Sequence, residues 1–382
     1  MRILIAHSFY RSPGGEDTYV AEQAEFLASA GHDVRVLRKE NAELQGGARV
    51  ASRMAYSGEL IDEVRSLLRE FVPDIIHLHN PYPSFGPAVH LAAARESVPL
   101  VFTVHNMRLR CPNGLMFTEG AVCHRCEGGL YYNAVLHDCF PTRSQRVAYA
   151  TNLWGHRFVL KLENKISLFV APSRFVADRL VAWGIPENRI AQVRNLTHVP
   201  SEPPPIQSDA HGLFLGRLSS EKGVEVLLHA LRSAGDPPFA IAGDGPLRGT
   251  LEASAEELGL RNTRFFGRLD VEGVRRLIEQ SSFVVIPSMS EEIAPFSAAE
   301  ALAHGRPIIV SRIGGLTELA VEGRGLLCDP GDASAFAEAI GRLTASAELC
   351  REMGLKAHRF ASEELTRQNH VRRLESLYAT LI

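Results

Sequence analysis

Short apolar runs alternate with helical patterns along nearly the whole chain. In the first half these runs are residues 2–6, 33–37, 74–79, 100–105, 168–172 and 190–195. They are continuous rather than alternating, which is typical of strands buried on both faces of a parallel sheet. Helical patterns separate them, for example Asp17 to Ala30, which Gly31 ends. We therefore predict a doubly wound α/β domain in the first half of the chain.

The alternation stops at a proline-rich segment and then restarts. Four prolines and no periodicity between Thr197 and Gly212 predict a linker. Further runs follow at residues 212–217, 239–245, 263–268, 282–287, 307–311 and 325–329, and a chain of 382 residues is long enough for two domains. The predicted organisation is an N-terminal domain over residues 1–196, a linker over 197–211, a C-terminal domain over 212–362 and a last helical segment over 363–382 that could pack back on the first domain.

Charge and composition narrow the class of protein. The net charge of −3 argues against nucleic acid as the main partner. No apolar run approaches the length of a membrane span, and the N-terminal "MRILIAHSFY" has no small-residue cleavage site of a signal peptide. We therefore expect a cytoplasmic protein.

Two cations follow the first predicted strand of the second domain. Arg217 and Lys222 lie five residues apart in "GRLSSEKG", which begins with Gly216 and leads into a helix. Two cations beside a helix N-terminus suit a diphosphate better than a single carboxylate. A solvated salt-bridge pair is the alternative.

Other candidate residues also follow strands. Gly14 and Gly15 allow close backbone approach beside a helix N-terminus that can bind an anion, or they form an ordinary strand-to-helix turn. Gly243 and Asp244 lie in "AGDGP", a loop that can lie against a base or a ribose, or a simple β-turn. His105 ends the fourth strand and is either structural or catalytic.

Two carboxylates stand eight residues apart after a buried strand. Glu292 lies in the loop that follows "SFVVIP", and Glu300 is expected in the first turn of a helix from Ala298 to His304. Carboxylates accept hydrogen bonds, so the two suit the hydroxyls of a sugar and of a ribose. A metal pair is disfavoured because no Asp-rich or His-rich cluster lies nearby.

Together these segments resemble the retaining glycosyltransferases of family 4, which have the GT-B fold. The resemblance rests on "EKG" after "GR", on "GDGP", and on Glu-x7-Glu followed by "EALAHGRPIIVSRIGGLTEL", and it extends over nearly the whole chain. It implies two Rossmann-like domains that face each other across a cleft. It also implies transfer of a hexose-type sugar from a UDP- or GDP-linked donor to a hydroxyl of a saccharide or lipid-linked saccharide.

The resemblance assigns a role to each candidate residue. Arg217 and Lys222 would bind the donor diphosphate, Glu300 the ribose, and Glu292 the transferred sugar. Backbone N–H groups near Phe296 and Ser297, together with Gly14 and Gly15, would contact phosphate, and His105 would lie near the reacting sugar. No Asp-x-Asp motif is present, so we expect no metal cofactor for catalysis.

The sequence departs from the family pattern beside Glu292. The common motif is Glu-Gly-Phe-Gly, whereas Ile293, Ala294 and Pro295 follow Glu292 here. Pro295 has no N–H, so one donor near the sugar is missing. Transfer to a small natural product, a sugar-nucleotide epimerase of the same fold and a non-catalytic nucleotide-sugar-binding partner stay as alternatives. A nicotinamide dehydrogenase is disfavoured because no G-x-G-x-x-G follows a strand.

A cysteine-bearing insertion spans residues 108–140 of the first domain, and some relatives of this family carry a similar insert. Cys111, Cys123, Cys126 and Cys139 are spaced C-x11-C-x2-C-x12-C. Four thiolates with a central C-x2-C suit a structural Zn²⁺, with His124 or His137 as a substitute for one ligand. Free or paired cysteines are the alternative.

A basic segment follows the insertion. Residues 143–165 contain five Lys or Arg, one acid, Trp154 and Phe158. Such a face suits either an anionic membrane surface, where lipid-linked acceptors would be found, or plain solvent. Peripheral contact at the inner face of the membrane is therefore an open alternative.

Overall fold

The computed structural model describes residues 1–11, 14–43, 47–207 and 211–382, with side chains omitted at 47–49. The described chain divides into two compact units. The first comprises residues 1–119, 123–194 and 370–382, and the second comprises residues 120–122 and 195–369.

The elements up to residue 194 alternate between strand and helix. The strands are β1 (Arg2–Phe9), β2 (Asp33–Glu40), β3 (Ile75–Leu78), β4 (Leu100–Thr103), β5 (Phe117–Thr118), β6 (Ala121–Val122), β7 (Leu168–Ala171) and β8 (Ile190–Gln192). The helices are α1 (Gly15–Ser29), α2 (Gly47–Ala55), α3 (Gly58–Phe71), α4 (Ala88–Glu96), α5 (Asn133–Leu136), α6 (Arg143–Trp154) and α7 (Arg174–Ala182). Within the described residues, the first unit has a parallel sheet of strand order β2-β1-β3-β4-β7-β8.

The second unit repeats this plan. Its strands are β9 (His211–Leu215), β10 (Phe239–Ala242), β11 (Thr263–Gly267), β12 (Ser281–Ile286), β13 (Ile308–Ser311) and β14 (Gly325–Cys328). The helices after β9 are α8 (Val224–Ser233), α9 (Arg248–Glu257), α10 (Val271–Gln280), α11 (Phe296–Ala303), α12 (Leu316–Leu319), α13 (Ala333–Thr344), α14 (Ala347–Glu364) and α15 (Arg367–Ala379). The described strands form a parallel sheet of order β11-β10-β9-β12-β13-β14.

The sequence accounts locally for where the helices begin and end, as α3 illustrates. The Ser57 hydroxyl accepts a hydrogen bond from the Leu60 backbone N–H at 3.3 Å, which satisfies one of the free donors of the first turn. Ile61 and Val64 are buried on the face that packs inward. The helix ends at Phe71, and the next residue, Val72, adopts a left-handed conformation with φ of 45°.

The prediction of two doubly wound α/β domains is confirmed. The central strands β3 and β4 are fully buried, as their continuous apolar runs predict. Strand β2 is largely exposed, because it is an edge strand.

Two predicted boundaries need correction, and residues 208–210 of the predicted linker lie outside the described residues. Helix α11 begins at Phe296, not at Ala298, so Glu300 lies in its second turn rather than its first. Strand β4 ends at Thr103, so His105 lies in the loop two residues beyond it.

The C-terminal residues His370–Ile382 belong to the first unit. Tyr378 Oη lies 2.6 Å from His77 Nδ1, and Tyr19 Oη lies 3.2 Å from His370 Nε2. Helix α15 thus places polar side chains in the buried interior of the first unit.

Candidate active site

Lys222 and Glu292 form a direct contact in the second unit. Lys222 Nζ donates a hydrogen bond to Glu292 Oε1 at 2.6 Å, and Ser288 Oγ donates to the same oxygen at 2.6 Å. The Lys222 and Glu292 side chains are 27% and 11% exposed. An ion pair with so little solvent is screened less than a surface pair. The structure therefore brings together two of the predicted catalytic residues.

Neighbouring strands explain this contact. Lys222 follows β9 and Glu292 follows β12, which are adjacent parallel strands. The two loops join through a hydrogen bond from the Met289 N–H to the Glu221 carbonyl at 2.8 Å. Gly223 has φ of 66°, and a Cβ there would lie 2.0 Å from the Pro287 carbonyl oxygen. Glycine is therefore needed for the loops to approach so closely.

Backbone contacts hold the Glu292 loop in place. The Glu292 carbonyl accepts a hydrogen bond from the Gly315 N–H at 2.7 Å. A Cβ at Gly314 would lie 2.4 Å from the same carbonyl oxygen. Asn195 Nδ2 donates to the Ala294 carbonyl at 3.0 Å. The loop that departs from the family motif thus has a defined conformation in the described structure.

The predicted glycine loop lies against the end of β9. Gly243 has φ of 143°, and a Cβ there would lie 1.8 Å from the Gly216 carbonyl oxygen. The Gly216 N–H donates to the Ala242 carbonyl at 3.1 Å, and the Asp244 carbonyl accepts from the Leu218 N–H at 3.0 Å. Gly216, Gly243 and Asp244 are therefore brought together at the carboxyl ends of β9 and β10.

The remaining predicted residues of the second unit occupy nearby elements. The Arg217 side chain is exposed, beside Gly216. Phe296, Ser297 and Glu300 lie on α11, and the Glu300 carbonyl accepts from His304 Nδ1 at 2.9 Å. Arg217 follows β9, and α11 follows the Glu292 loop, so these residues belong to the same edge of the sheet. Their assignment to diphosphate, phosphate and ribose stays a prediction.

The glycine turn of the first unit is tied to a buried carboxylate. Asp17 Oδ2 accepts a hydrogen bond from the Gly14 N–H at 2.9 Å, and Asp17 Oδ1 lies 2.9 Å from His7 Nε2. Gly14 precedes α1, and Gly15 is its first residue. Ser12 and Pro13 of the same motif lie outside the described residues. The Gly14 N–H is thus bonded to Asp17 in this structure, and a phosphate role for Gly14 and Gly15 stays a prediction.

His105 belongs to a cluster of histidines at the carboxyl edge of the first sheet. Its Nε2 lies 2.9 Å from His79 Nδ1, and the two rings stack with centroids 5.2 Å apart. His79 is buried and stacks on His77 at 4.4 Å. A catalytic role for His105 stays a prediction, and the neighbouring histidine orients its ring.

Burial keeps these histidines neutral. It lowers the pKa of His77 to about 3, and the neighbouring His370 adds to the shift. Burial likewise holds the pKa of His79 and of His105 well below the usual value for histidine, with surrounding imidazoles as the second cause. At neutral pH the cluster therefore carries hydrogen-bonding rings rather than positive charge.

The four cysteines of the insertion line one pocket. It is bounded by Cys111, Cys123, Cys126, Cys139, Arg110, Asn113, Met116, Phe117, Thr118, Asn133 and His137. All four thiols are free. In the portion of the chain that the structure describes, no group of three or more His, Cys, Asp or Glu is arranged as a metal site.

Sequence reasoning missed four residues that shape these sites. Ser288 and Asn195 support the Glu292 loop, and Asp17 and His79 organise the first unit. A sequence signal exists for His79, because "HLHN" closes an apolar run just as "TVHN" does at His105. Asp17 has a local signal too, because it stands at the third position of α1, where an acid caps the helix start. Ser288 contacts Glu292 within one loop, and only Asn195 reaches its partner from a distant part of the chain.

Comparison with known proteins agrees with this architecture. The family described as "Glycosyl transferase 4-like domain" matches residues 14–195, and "Glycosyl transferases group 1" matches residues 204–360. D-rhamnosyltransferase WbpZ of Pseudomonas aeruginosa is 38% identical over 148 residues, which are 38% of this chain and 39% of that protein. The matched region thus spans about two fifths of the length of that relative.

Solved structures share the fold over the full length. Sucrose-phosphate synthase from Thermosynechococcus elongatus superposes with a TM-score of 0.74 at 18% identity, covering 100% of this chain and 98% of that one. HepE from Anabaena in complex with UDP-glucose superposes with a TM-score of 0.69 at 19% identity, covering 99% and 100%. Among the described residues, no helix is long and apolar enough to cross a membrane. With both family domains in order and this fold, the chain is a GT-B glycosyltransferase of the family 4 type.

Proposed function

We propose that this chain transfers a hexose-type sugar, with retention, from a UDP- or GDP-linked donor to a hydroxyl of a saccharide or lipid-linked saccharide. The observation that carries the proposal is the contact of Lys222 Nζ with Glu292 Oε1 at 2.6 Å. It places a cation and a carboxylate side by side at the carboxyl edge of a parallel sheet, where ligands of such sheets bind.

Lys222 and Arg217 bind the donor diphosphate in this proposal. An ammonium has three N–H donors, so Lys222 can contact Glu292 and still donate to a phosphate oxygen. Arg217 is exposed and close in sequence, and its planar guanidinium suits phosphate oxygens. The backbone at Phe296 and Ser297, at the start of α11, adds the positive end of a helix.

The two carboxylates bind hydroxyls. Glu292 Oε1 accepts from Lys222 and Ser288, which leaves Oε2 to accept from a hydroxyl of the transferred sugar. Glu300 lies eight residues further along the chain, in the second turn of α11, and takes the ribose. Asn195 and Gly315 stiffen the loop, so Glu292 is held in place before the donor arrives.

Transfer with retention needs charge stabilisation at the leaving group. The bond between the anomeric carbon and the phosphate oxygen breaks, and its electron pair stays on the phosphate. The acceptor oxygen bonds to the anomeric carbon on the same face, and its proton passes to the leaving phosphate. Fixed positive charge from Lys222 and Arg217 stabilises this separation without reorganisation.

Two of the similar proteins support the proposed donor class. HepE was solved with UDP-glucose, and WbpZ is a D-rhamnosyltransferase. We take from them a nucleotide-linked hexose as the donor class. In this proposal the departure after Glu292 falls in the loop that contacts the sugar, so this loop sets which hexose is accepted.

A lipid-linked acceptor would be met at a membrane surface. Trp154 and Phe158 are 51% and 43% exposed, their rings lie 6.0 Å apart, and Arg157 lies against the Phe158 ring. Aromatic rings beside a cation suit the interface of an anionic bilayer. Flotation of the protein with anionic vesicles, but not with neutral ones, is the expected result. Equal flotation of a Trp154→Ala, Phe158→Ala double variant would contradict this role.

The test of the proposed function uses a panel of UDP- and GDP-linked hexoses without added acceptor. Slow hydrolysis should release one nucleoside diphosphate, and proton NMR should show the freed sugar first in the anomeric form of the donor. The opposite anomer would refute retention. Conversion of the donor without release of nucleotide would favour the epimerase alternative, and binding without turnover of any donor would favour a binding partner.

A further inference from the structure

The insertion between β4 and α6 directs four thiols to one place. Cys111, Cys123, Cys126 and Cys139 come from separate turns over 29 residues and line the same pocket. Cys111 and Cys126 are buried, and all four are free. The fold of the insertion thus gathers four potential metal ligands around one small cavity.

Local backbone turns fix where these cysteines stand. The Cys111 N–H donates to the Met107 carbonyl at 2.8 Å, and the Cys123 N–H donates to the Met116 carbonyl at 2.7 Å. The Cys126 carbonyl accepts from the Gly129 N–H at 2.9 Å, which closes a turn just after the C-x2-C pair. The Glu127 N–H also donates to the His124 carbonyl at 3.1 Å, so the chain turns just after Cys123 and brings Cys126 back near it, the spacing that two ligands of a tetrahedral metal share.

The sulfurs of Cys111 and Cys123 accept hydrogen bonds from neighbouring N–H groups. Backbone N–H groups of Asn113, Gly114 and Met116 hydrogen-bond to the Cys111 sulfur. Arg125 Nη1 donates to Cys123 Sγ at 3.6 Å. Hydrogen bonds of this kind support metal-bound thiolates by spreading their negative charge.

The insertion has little core with which to hold itself. Its regular elements are the two-residue strands β5 and β6 and the four-residue helix α5. Its buried apolar side chains are few: Met116 and Phe117 beside the pocket, and a small cluster of Cys126, Tyr131 and Ala134 with Ala150 of α6. So small a core supplies little stability, and segments of this size usually need a metal or disulfides.

We propose that Cys111, Cys123, Cys126 and Cys139 together bind one structural Zn²⁺. Each thiol loses one proton to solvent and forms one bond to the ion, so no oxidant or reductant takes part. The side chains must turn toward the pocket centre, since the described residues contain no completed set of ligands. Cys111 then gives up its contact to Asn113 Oδ1, and Cys139 its weak contact to the His137 carbonyl.

His137 is not a ligand in this proposal, although it lines the pocket. Its Nδ1 lies 3.1 Å from Glu119 Oε1, so that nitrogen is already engaged. The ion holds the turns of the insertion together and does no chemistry. This inference does not rest on the proposed function, and its test uses no activity measurement.

The test is the metal content of the full chain, purified without a metal-binding tag from medium supplemented with zinc. Elemental analysis should give about one zinc per chain. Cys126→Ser and Cys111→Ser should lose it, whereas His137→Gln and Cys350→Ala should keep it. Cys350 is a good control because it is buried in the second unit, outside the insertion. Zinc that persists in both serine variants, or is absent from the wild type, would overturn the proposal.

A second measurement covers the case in which the serine variants fail to fold. Titration of the folded wild type with a mercurial, in the presence of a zinc-responsive dye, should release the ion in step with blocking of four thiols. Cobalt substituted for zinc should show the intense visible bands of a tetrahedral thiolate site. Mass spectrometry that instead finds disulfides among the four cysteines would contradict the metal site directly.

Discussion

Lys222 Nζ lies 2.6 Å from Glu292 Oε1, across two loops that are 70 residues apart in sequence. A second lysine–glutamate pair provides a comparison, because Lys356 Nζ lies 2.7 Å from Glu352 Oε1 on the exposed face of α14. The distances are alike, but only the first pair lies at the carboxyl edge of the sheet and is shielded from solvent. The proposed function assigns chemistry to the first pair and none to the second.

Lys222→Ala should therefore lower the rate of sugar transfer by about 10² to 10³, the usual effect of removing one donor that stabilises developing charge. Its melting temperature should stay close to that of the wild type. Lys356→Ala, the matched control, should leave the rate unchanged. Near-wild-type turnover of Lys222→Ala would refute the role of Lys222 at the diphosphate.

Substitutions of Glu292 and Glu300 should change different binding constants, because the proposal gives each carboxylate a different part of the donor. Glu292→Gln should lower kcat/KM for the donor sugar by about 10- to 100-fold, the effect of weakening a hydrogen bond to a charged group by roughly 1.5–3 kcal/mol. It should leave the Kd of the free nucleoside diphosphate unchanged. Glu300→Gln should instead raise the Kd of the free nucleoside diphosphate, since the ribose belongs to the nucleotide. Isothermal titration with the nucleotide alone distinguishes these results, and the reverse pattern would exchange the two assignments.

Gly243→Ala should destabilise the second unit severely. Its φ of 143° is unfavourable for a side chain, and the new Cβ would lie 1.8 Å from the Gly216 carbonyl oxygen. We expect a loss of at least about 3 kcal/mol, in the range of overpacked or strained sites. Gly249→Ala in α9 is the control, because a Cβ there meets nothing within 4 Å. It should be neutral or stabilising by about 0.4–1 kcal/mol, and equal melting temperatures of the two variants would contradict the described loop.

Acid should destabilise the first unit through its buried histidines. The pKa of His77 is lowered from 6.5 to about 3, and the pKa of His370 is lowered to about 4. Between these values and 6.5, the unfolded chain binds protons that the folded chain does not, so stability is complete above pH 6.5 and falls as the pH drops toward 3. Each such histidine contributes up to about 1.4 kcal/mol per pH unit.

A variant isolates this effect from other acid-sensitive groups. His77→Gln should reduce the slope of unfolding free energy against pH by about 1.4 kcal/mol per unit between pH 4 and 6. Urea denaturation followed by tryptophan fluorescence measures it, since both tryptophans, Trp154 and Trp183, lie in the first unit. An unchanged slope would show that His77 is not held neutral by burial.

Much of the fold follows from local sequence, and the site contacts do not. The apolar runs of β3, β4 and β12 predict buried strands because a doubly covered sheet needs apolar residues on both faces. The contact of Lys222 with Glu292 depends on β9 lying beside β12, a neighbour relation that no local pattern contains. The predicted start of α11 at Ala298 is two residues too late, although Pro295 directly before the helix is a common helix-start signal.

The histidine cluster is a second feature that the local sequence does not predict. In the sequence, His77 and His79 are polar residues within an apolar run. This pattern is typical of buried histidines that hydrogen-bond inside a core. Their partners come from distant elements, with Tyr378 reaching His77 from α15 and His105 reaching His79 from beyond β4. Only the parallel order β1-β3-β4 collects these rings at one edge of the sheet.

The most direct test of the central claim is thermal stabilisation by UDP, GDP, ADP and dTDP, each with and without EDTA, on wild type and on Lys222→Ala. We predict that one uracil or guanine nucleotide raises the Tm of the wild type, that EDTA does not change this shift, and that Lys222→Ala reduces it sharply. A shift abolished by EDTA, or one of equal size in both proteins, would contradict a diphosphate site built on Lys222.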